Sequence, residues 1–348
     1  MYCYNITKRL NHATTKHKDL NMRWLALLSS LTLSTAALAE VPKVAVDIAP
    51  VHSLVSAVMG DLGTPDLILP PDGDPHHFQL RPSQMRALST ADLVVWVGPA
   101  LTPWLKDVLA SGATQGRTEV QLLDPDHLPM VIEGTLATLN TEAEEHDHDA
   151  DHYEHAEEEH DARNDHADAV HAGHDHGPID PHIWLDPVNA QHMLDEIAEA
   201  LTALDAENSA VYARNAETAK ARIAALTEQV AQDLHPLRNV ALIPYHDAYK
   251  YFFIRFDLQI SGSLSATDAA APSAARLSEL RDRLAKTTRP CLFTEPGANE
   301  NLIASVLPSD SDAVIRHLDG LGATLTPGPD LYEALIRNMA DAIISCRS

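Results

Sequence analysis

A tract of alternating acidic and histidine residues divides this 348-residue chain and limits how it can fold. Nine histidines fall between Thr141 and Pro178, among many Asp and Glu residues and almost no large apolar ones. Such a segment buries too little apolar surface to offset the entropy of ordering it, so we expect residues 141–178 to be a disordered insertion. The ordered fold must therefore be built from the sequence on either side of it.

The composition of the tract indicates a metal-binding role. Neutral imidazoles on a flexible acidic tether bind borderline divalent ions such as zinc, copper or nickel weakly and at many positions. A solubilising acidic linker with incidental histidines is the alternative. So many histidines in one short tract favour the metal-binding interpretation.

The first 39 residues have the pattern of an export signal. A basic residue and an apolar run over 24–28 precede the Ala-Leu-Ala sequence at 37–39, so we expect cleavage there and a mature chain that begins at Glu40. Met22 offers a second translation start, because residues 1–21 are polar. A membrane anchor is the alternative, but the apolar run is shorter than the ~20 residues that a spanning helix needs.

The charge of the chain excludes two classes of partner. Loss of the first 39 residues removes five basic and one acidic residue, so the net charge moves from −25 to about −29. An acidic surface repels both nucleic acid and anionic lipid. We therefore expect no nucleic-acid partner.

The mature chain has two cysteines, Cys291 and Cys346. In an exported protein two cysteines are expected to pair. A bridge that closes a loop of this length stabilises a fold by roughly 4 kcal/mol in the chain-entropy model. Two buried free thiols are the alternative.

Outside the tract, short apolar strands alternate with helices. The fully apolar run within 92–97 is typical of a parallel strand buried on both faces, and the alternation predicts an α/β fold. We expect two similar α/β lobes, residues 40–206 and 236–348, joined by one long rigid helix over 207–235. Two such lobes form a cleft near the carboxyl ends of their strands, where a ligand site is expected. Gln259–Leu264 is among the strands predicted in the second lobe.

Three histidines fall where such a cleft would form. His76 lies in a loop after a predicted strand that ends at Leu69, His182 lies in a proline-framed motif just after the tract, and His246 directly follows another predicted strand. Each alone is typical of an ordinary loop histidine. Together, and near a histidine-rich tract, they favour a zinc site with three imidazole ligands.

Five motifs give the chain a family resemblance. It resembles the ZnuA-like solute-binding proteins that serve bacterial zinc ABC importers in the periplasm. The motifs occur in the family's order across most of the mature chain, at Pro75–Pro82, His182–Pro187, His246–Tyr249, Phe293–Pro296 and Leu318–Gly322.

The resemblance implies metal ligands at His76, His182 and His246. It leaves the neighbouring His77 outside the ligand set, so we expect its side chain to lie behind the ligands or to be exposed. Asp319 matches a further ligand of manganese-type relatives; water is the competing occupant, because Gly320 replaces the family's usual proline after it. Those relatives have a glutamate in place of His246, and an imidazole there favours zinc over manganese.

The resemblance also implies the function. We expect a high-affinity zinc-binding component of a periplasmic ABC importer, a monomer that carries Zn²⁺ to a membrane permease with its ATPase, with the tract as a low-affinity trap or sensor. The alternatives are a zinc-dependent hydrolase, and a manganese-type or adhesin protein of the same fold. Neither His-Glu-x-x-His nor Gly-x-Ser-x-Gly occurs, so we expect no enzyme. Glu295 could act as a general base, but its motif favours a structural role.

Overall fold

The computed structural model describes residues 40–111, 117–132, 179–265 and 272–347. The predicted signal over 1–39 and the predicted insertion over 141–178 lie outside the described residues. The described residues that flank the gap at 133–178 lie side by side, because the Asp180 N–H donates to the Ile132 carbonyl at 2.9 Å.

The first lobe is built on a parallel sheet whose two central strands are buried on both faces. The strands lie in the order β2 (Asp66–Leu67), β1 (Val44–Val46), β3 (Leu93–Trp96) and β4 (Thr118–Gln121) and pair in parallel, with Val44 opposite Leu93. The apolar run at 93–96 forms the central strand, and each of its residues is buried. The elements are β1 (Val44–Val46), α1 (Ala49–Met59), β2 (Asp66–Leu67), α2 (Pro82–Thr90), β3 (Leu93–Trp96), α3 (Pro103–Ala110) and β4 (Thr118–Gln121).

Two helices follow the tract, α4 (Pro187–Leu204) and α5 (Ser209–Leu234). Asp186 caps α4, because its carboxylate accepts the Val188 N–H at 2.9 Å, and Pro187 stands at the first helical position. With 26 residues, α5 is about 39 Å long. A helix of that length can run along both lobes.

The second lobe repeats the α/β pattern around a smaller parallel sheet with the strand order β5-β6-β7. The predicted strand Gln259–Leu264 is wrong. The segment runs beside β5 and pairs with it through one isolated bridge, because Gly262 has a φ of +126° and interrupts a regular ladder. The elements are β5 (Leu242–Ile243), α6 (Lys250–Arg255), α7 (Ala274–Leu284), β6 (Cys291–Thr294), α8 (Glu300–Val306), β7 (Val314–His317) and α9 (Leu331–Ile344).

The helix α5 ties the two lobes together. It packs against α1 and α4 on one side and against α9 on the other, and one apolar core runs through both lobes. Arg222 on α5 forms ion pairs with Asp330 and Glu333, each at 2.8 Å. Packing on both sides makes α5 a brace between the lobes. None of the helices in the described part of the chain has the length and apolar character needed to cross a membrane.

The predicted disulfide is confirmed. Cys291 opens β6 and Cys346 follows α9, and their sulfurs are bonded with the Cα atoms 5.8 Å apart. The bond closes a sequence separation of 55 residues, which corresponds to roughly 4 kcal/mol of stabilisation in the chain-entropy model. It fixes the last helix to the amino-terminal end of β6, away from the predicted site.

Candidate metal centre

The loops that follow the strands bring the three predicted histidines together. His76 follows β2, His246 follows β5, and His182 precedes a short helical turn at Ile183–Leu185. The ring centroids of His76 and His182 lie 6.1 Å apart, and those of His182 and His246 lie 5.7 Å apart. Residues far apart in sequence and from both lobes thus meet at the carboxyl ends of the strands.

The spacing of the rings is close to that of a zinc site. Three imidazoles at 2.0–2.1 Å from a tetrahedral zinc have ring centroids about 5.2 Å apart. The observed centroids are wider by about 0.5 to 0.9 Å. Accordingly, no group of three or more His, Cys, Asp or Glu side chains among the described residues is already closed into a metal site.

His182 is held by a buried carboxylate. Its Nδ1 lies 2.7 Å from Asp180 Oδ1, which also accepts the His182 backbone N–H at 3.0 Å. Because Nδ1–H donates to this carboxylate, the opposite nitrogen, Nε2, is left without a proton and is the ring atom that could accept a metal ion. The Trp184 ring packs against the imidazole, with centroids 5.4 Å apart, and limits its rotation.

Burial and charge act in opposite directions on Asp180. Desolvation by itself raises the pKa of a carboxyl group, but the hydrogen-bonded His182 imidazole and the Lys250 ammonium outweigh it, so the pKa of Asp180 is lowered from its usual value. Asp180 is therefore an anion. Its charge polarises His182 and makes the imidazole a better metal ligand.

His246 has the same arrangement in the other lobe. Its Nδ1 lies 2.6 Å from Glu295 Oε2, and both side chains are largely buried. Glu295 directly follows β6, next to the end of β5 that presents His246. The two histidines are thus matched imidazole–carboxylate pairs, one in each lobe.

Asp319 lies at the edge of the same cleft and holds a turn. Its Oδ1 accepts the N–H groups of Leu321 and Gly322 at 3.1 and 2.8 Å. Its Oδ2 accepts a longer bond from Thr324, at 3.4 Å. One carboxylate oxygen thus accepts two short bonds, while the other accepts a single longer one.

His76 and His77 differ in their surroundings. His76 is half-buried and contacts His182, whereas the His77 side chain is 65% exposed and its Nδ1 lies 3.3 Å from Asp74 Oδ2. The backbone of both residues is fixed by Asp74 Oδ1, which accepts their N–H groups at 2.8 and 3.3 Å. The side chain that points toward the other histidines is therefore that of His76.

The cleft has a volume of about 110 Å³ and draws its walls from both lobes. Pockets for drug-sized ligands measure about 300–1,000 Å³, so this space suits an ion with its waters better than a large organic ligand. Its polar lining consists of imidazole, carboxylate and phenol groups. The residues include Asp72, His182, His246, Tyr249, Glu295 and Asp319.

Sequence reasoning missed the orienting role of Asp180 and of Glu295. Asp180 stands two residues before His182, and that spacing alone is a usable signal for a carboxylate that turns back onto a histidine. Glu295 lies 49 residues from His246, and the two meet through the pairing of β5 with β6. The expectation of a structural role for Glu295 agrees with its hydrogen bond to the histidine ring.

Comparison with known proteins identifies the family. Residues 44–346 match the model of the family described as "ZnuA: Zinc-uptake complex component A periplasmic". The chain belongs to the ZnuA family. The fold and the family resemblance drawn from the motifs are thereby confirmed.

Relatives of the ZnuA family cover nearly the whole chain. The high-affinity zinc uptake system protein ZnuA of Paracoccus denitrificans is 42% identical over 92% of this chain and 97% of its own length. The protein of the same name from Brucella suis biovar 1 is 35% identical, over 92% and 99%. A crystal structure of ZnuA is 21% identical with a TM-score of 0.64, over 87% of this chain and 99% of that one, which shows the shared fold. This is a family of periplasmic components, not a class of enzyme.

Proposed function

We propose that this protein is the zinc-binding component of a periplasmic ABC importer. It captures Zn²⁺, its transported substrate, between His76, His182, His246 and Asp319, and delivers the ion to a membrane permease with its ATPase. The observation that carries the proposal is the pair of histidines held at Nδ1 by buried carboxylates, one from each lobe and 5.7 Å apart. The names of the relatives support the same assignment.

The donor set favours zinc. Zinc in proteins is bound mainly by neutral imidazole and thiolate with a tetrahedral arrangement, whereas manganese prefers oxygen ligands. Three imidazoles and one carboxylate fit zinc, and the imidazole at His246 argues against a manganese-type protein. Asp319 is proposed as the fourth ligand through Oδ2, the more weakly bonded of its oxygens.

The hydrolase alternative depends on Glu295 and is disfavoured by its contact. A general base must be free to take a proton from a metal-bound water. Glu295 Oε2 lies 2.6 Å from His246 Nδ1, so its carboxylate serves to orient the ligand. We therefore assign no catalytic residue.

Zinc binding is proposed to couple the two lobes by a small movement. The rings need to approach by less than about 1 Å to reach zinc-site spacing, and α5 with its ion pairs at Arg222 resists a wide hinge motion. We expect a local loop movement or slight tilt that the permease can detect. Small-angle scattering with and without zinc tests this, and a change in radius of several ångströms would contradict it.

The tract over 141–178 lies outside the described residues and is proposed as an auxiliary low-affinity zinc trap or sensor. The export signal, a periplasmic location and a monomeric state belong to the same proposal. If the tract is auxiliary, deletion of residues 141–177 leaves one tight zinc per chain. Loss of tight binding in the deletion would instead move the main site into the tract.

Metal analysis of the purified mature protein tests the assignment directly. We expect one tightly bound zinc per chain in the tract-deleted protein and none after the triple exchange His76→Ala, His182→Ala and His246→Ala. The matched control exchanges three exposed histidines of the described surface for alanine. Those residues are His127, His192 and His235. Retention of tight zinc by the triple cleft variant would refute the proposal.

A further inference from the structure

A buried lysine lies beside the candidate site. Lys250 opens α6 and its side chain is 2% exposed. Its Nζ lies 3.2 Å from Asp180 Oδ2 and 3.7 Å from Asp247 Oδ2, and both carboxylates are equally buried. Lysine is almost never fully buried unless it is paired. One ammonium group is thus shared by two carboxylates in the interior.

The lysine and His182 hold opposite oxygens of one carboxylate. Asp180 Oδ2 faces the Lys250 ammonium, and Oδ1 accepts the bond from His182 Nδ1. A carboxylate that is fixed at both oxygens cannot rotate about its terminal bond without losing one of the two contacts. The position of Lys250 is therefore transmitted to the imidazole ring.

The same helix fixes the backbone on which Asp180 stands. The hydroxyl of Tyr251, the next residue on α6, donates to the Asp180 carbonyl at 2.9 Å. The tyrosine oxygen also accepts the Ile132 N–H at 3.1 Å. Side chain and backbone of Asp180 are both held by α6, so the orientation of a first-lobe histidine is set from the second lobe.

We propose that Lys250 is a positioning residue for zinc binding. Through Asp180 it orients the His182 ring toward the cleft. Through Asp247, the neighbour of His246, it couples the orientation of His182 to the position of the second histidine. The inference rests on the proposed function, in which His182 is a zinc ligand. Replacement of a partner that orients a ligating histidine typically costs 10- to 100-fold in metal affinity. Lys250 acts one step further out, so we expect about 10-fold.

The test measures zinc affinity by chelator competition in full-length chains with Lys250→Met, Lys250→Arg and Asp180→Asn. We expect Lys250→Met to weaken binding about 10-fold and Lys250→Arg to restore affinity to within about threefold of the wild type, because the arginine keeps the charge at the carboxylate. Lys250→Met added to Asp180→Asn should give no further loss, because both act through one carboxylate. Fully additive losses, or an unchanged affinity in Lys250→Met, would overturn the inference.

A second readout separates positioning from general destabilisation. In protein with ¹⁵N-labelled histidine, we expect the His182 Nδ1 resonance to change in Lys250→Met and to stay unchanged in the control Lys220→Met, which breaks a lysine–aspartate pair on the surface at 2.8 Å. If Lys250→Met does not fold, Lys250→Gln takes its place in both measurements. A loss of thermal stability with an unchanged resonance and affinity would make Lys250 merely structural.

The inference and the proposed function fail in different ways. If His182→Ala keeps tight zinc binding, the site assignment itself is wrong. If His182→Ala abolishes tight binding while Lys250→Met and Lys250→Gln bind as the wild type does, zinc binding stands and only the role of Lys250 is refuted.

Discussion

The two segments that carry the first-lobe histidines are built differently. The His182 segment, residues 180–186, is almost entirely buried, whereas in the His76 loop, residues 72–80, Pro75 alone is buried and the other positions are exposed or half-buried. The second lobe grips the His182 segment. The Arg255 guanidinium donates to both Asp186 oxygens, with Nε at 2.6 Å from Oδ1, and the Tyr332 hydroxyl donates to the Trp184 carbonyl at 2.7 Å.

The His76 loop is fastened to its own lobe by fewer and more local contacts. Asp74 bonds the backbone of the loop itself, and the Trp104 indole N–H donates to the Pro75 carbonyl at 2.8 Å. A segment with few buried contacts opens at a lower free-energy cost than a packed one. In the proposed function, His182 therefore belongs to a fixed half of the site, and His76 to an adaptable half that would move onto the ion.

Alanine exchanges at the two histidines give the largest expected effects. Removal of either ligand should weaken zinc binding by more than the roughly 100-fold that loss of an orienting partner costs. His182→Ala also leaves the buried Asp180 carboxylate without its imidazole partner, so the free energy of unfolding of this variant should fall by about 1–3 kcal/mol. The free energy of unfolding of His76→Ala should stay near that of the wild type. Chelator competition and denaturant unfolding measure the two effects. Equal destabilisation by both variants would contradict the distinction between a fixed His182 segment and an adaptable His76 loop.

Substitution of the carboxylate in each segment should give the next largest difference in zinc affinity. Asp180→Asn removes the charged acceptor of the His182 ring, so zinc affinity should fall 10- to 100-fold. Asp74→Asn is the matched control. Asp74 bonds the His76 backbone and not its ring, and an amide oxygen can still accept those N–H groups, so we expect a change of less than about threefold. A larger loss in Asp74→Asn than in Asp180→Asn would reverse the fixed and adaptable roles.

Asp319→Asn should have a smaller effect. The amide oxygen can keep the turn bonds to Leu321 and Gly322, while the charged Oδ2 is lost. If Oδ2 is the fourth ligand, zinc affinity should fall about 10-fold, because the remaining three imidazoles still hold the ion. Isothermal titration of the variant measures this, and an unchanged affinity would assign the fourth position to water.

The sequence predicted the parts of the site that local patterns encode. Apolar runs such as 93–96 identify buried strands, and Asp186-Pro187 identifies a helix start, so the α/β architecture followed. The strand predicted at Gln259–Leu264 failed because one glycine, Gly262, has a φ of +126° and interrupts the extended backbone inside the segment. The three histidines were predicted from their positions after the tract and the strands and from the family motifs.

Contacts between residues far apart in the sequence were beyond sequence reasoning. Lys250 is a buried cation whose partner Asp180 lies 70 positions away, and Glu295 reaches His246 across a strand pairing. Charged residues in a sequence are by default expected at the surface. Only the packing of α6 against the His182 segment shows that these charges are interior and paired.

A second buried carboxylate, which has no charged partner among its hydrogen bonds, serves as a comparison for the pKa of Asp180. Asp47 is fully buried at the end of β1, where it accepts N–H groups from Ile48 and Val97 at 2.8 and 2.9 Å, and burial raises its pKa to about 7 despite these bonds. The pKa of Asp180 is lowered instead, first by the hydrogen-bonded His182 imidazole and then by the Lys250 ammonium. Neutral donors thus leave the buried Asp47 carboxyl protonated up to near-neutral pH, whereas the imidazole and ammonium partners together keep Asp180 charged.

The raised pKa of Asp47 predicts a pH dependence of stability. The folded state keeps the Asp47 proton up to a pH of about 7, while the unfolded chain releases it near 3.8, so this stabilisation is complete below pH 3.8 and is lost as the pH rises through 7. The difference in unfolding free energy between Asp47→Asn and the wild type should therefore move in favour of the variant by about 4 kcal/mol between pH 4 and pH 8. A difference for Asp47→Asn that does not change with pH would mean that neutral donors alone keep a buried carboxylate charged, and the contrast with Asp180 would no longer require its imidazole and ammonium partners.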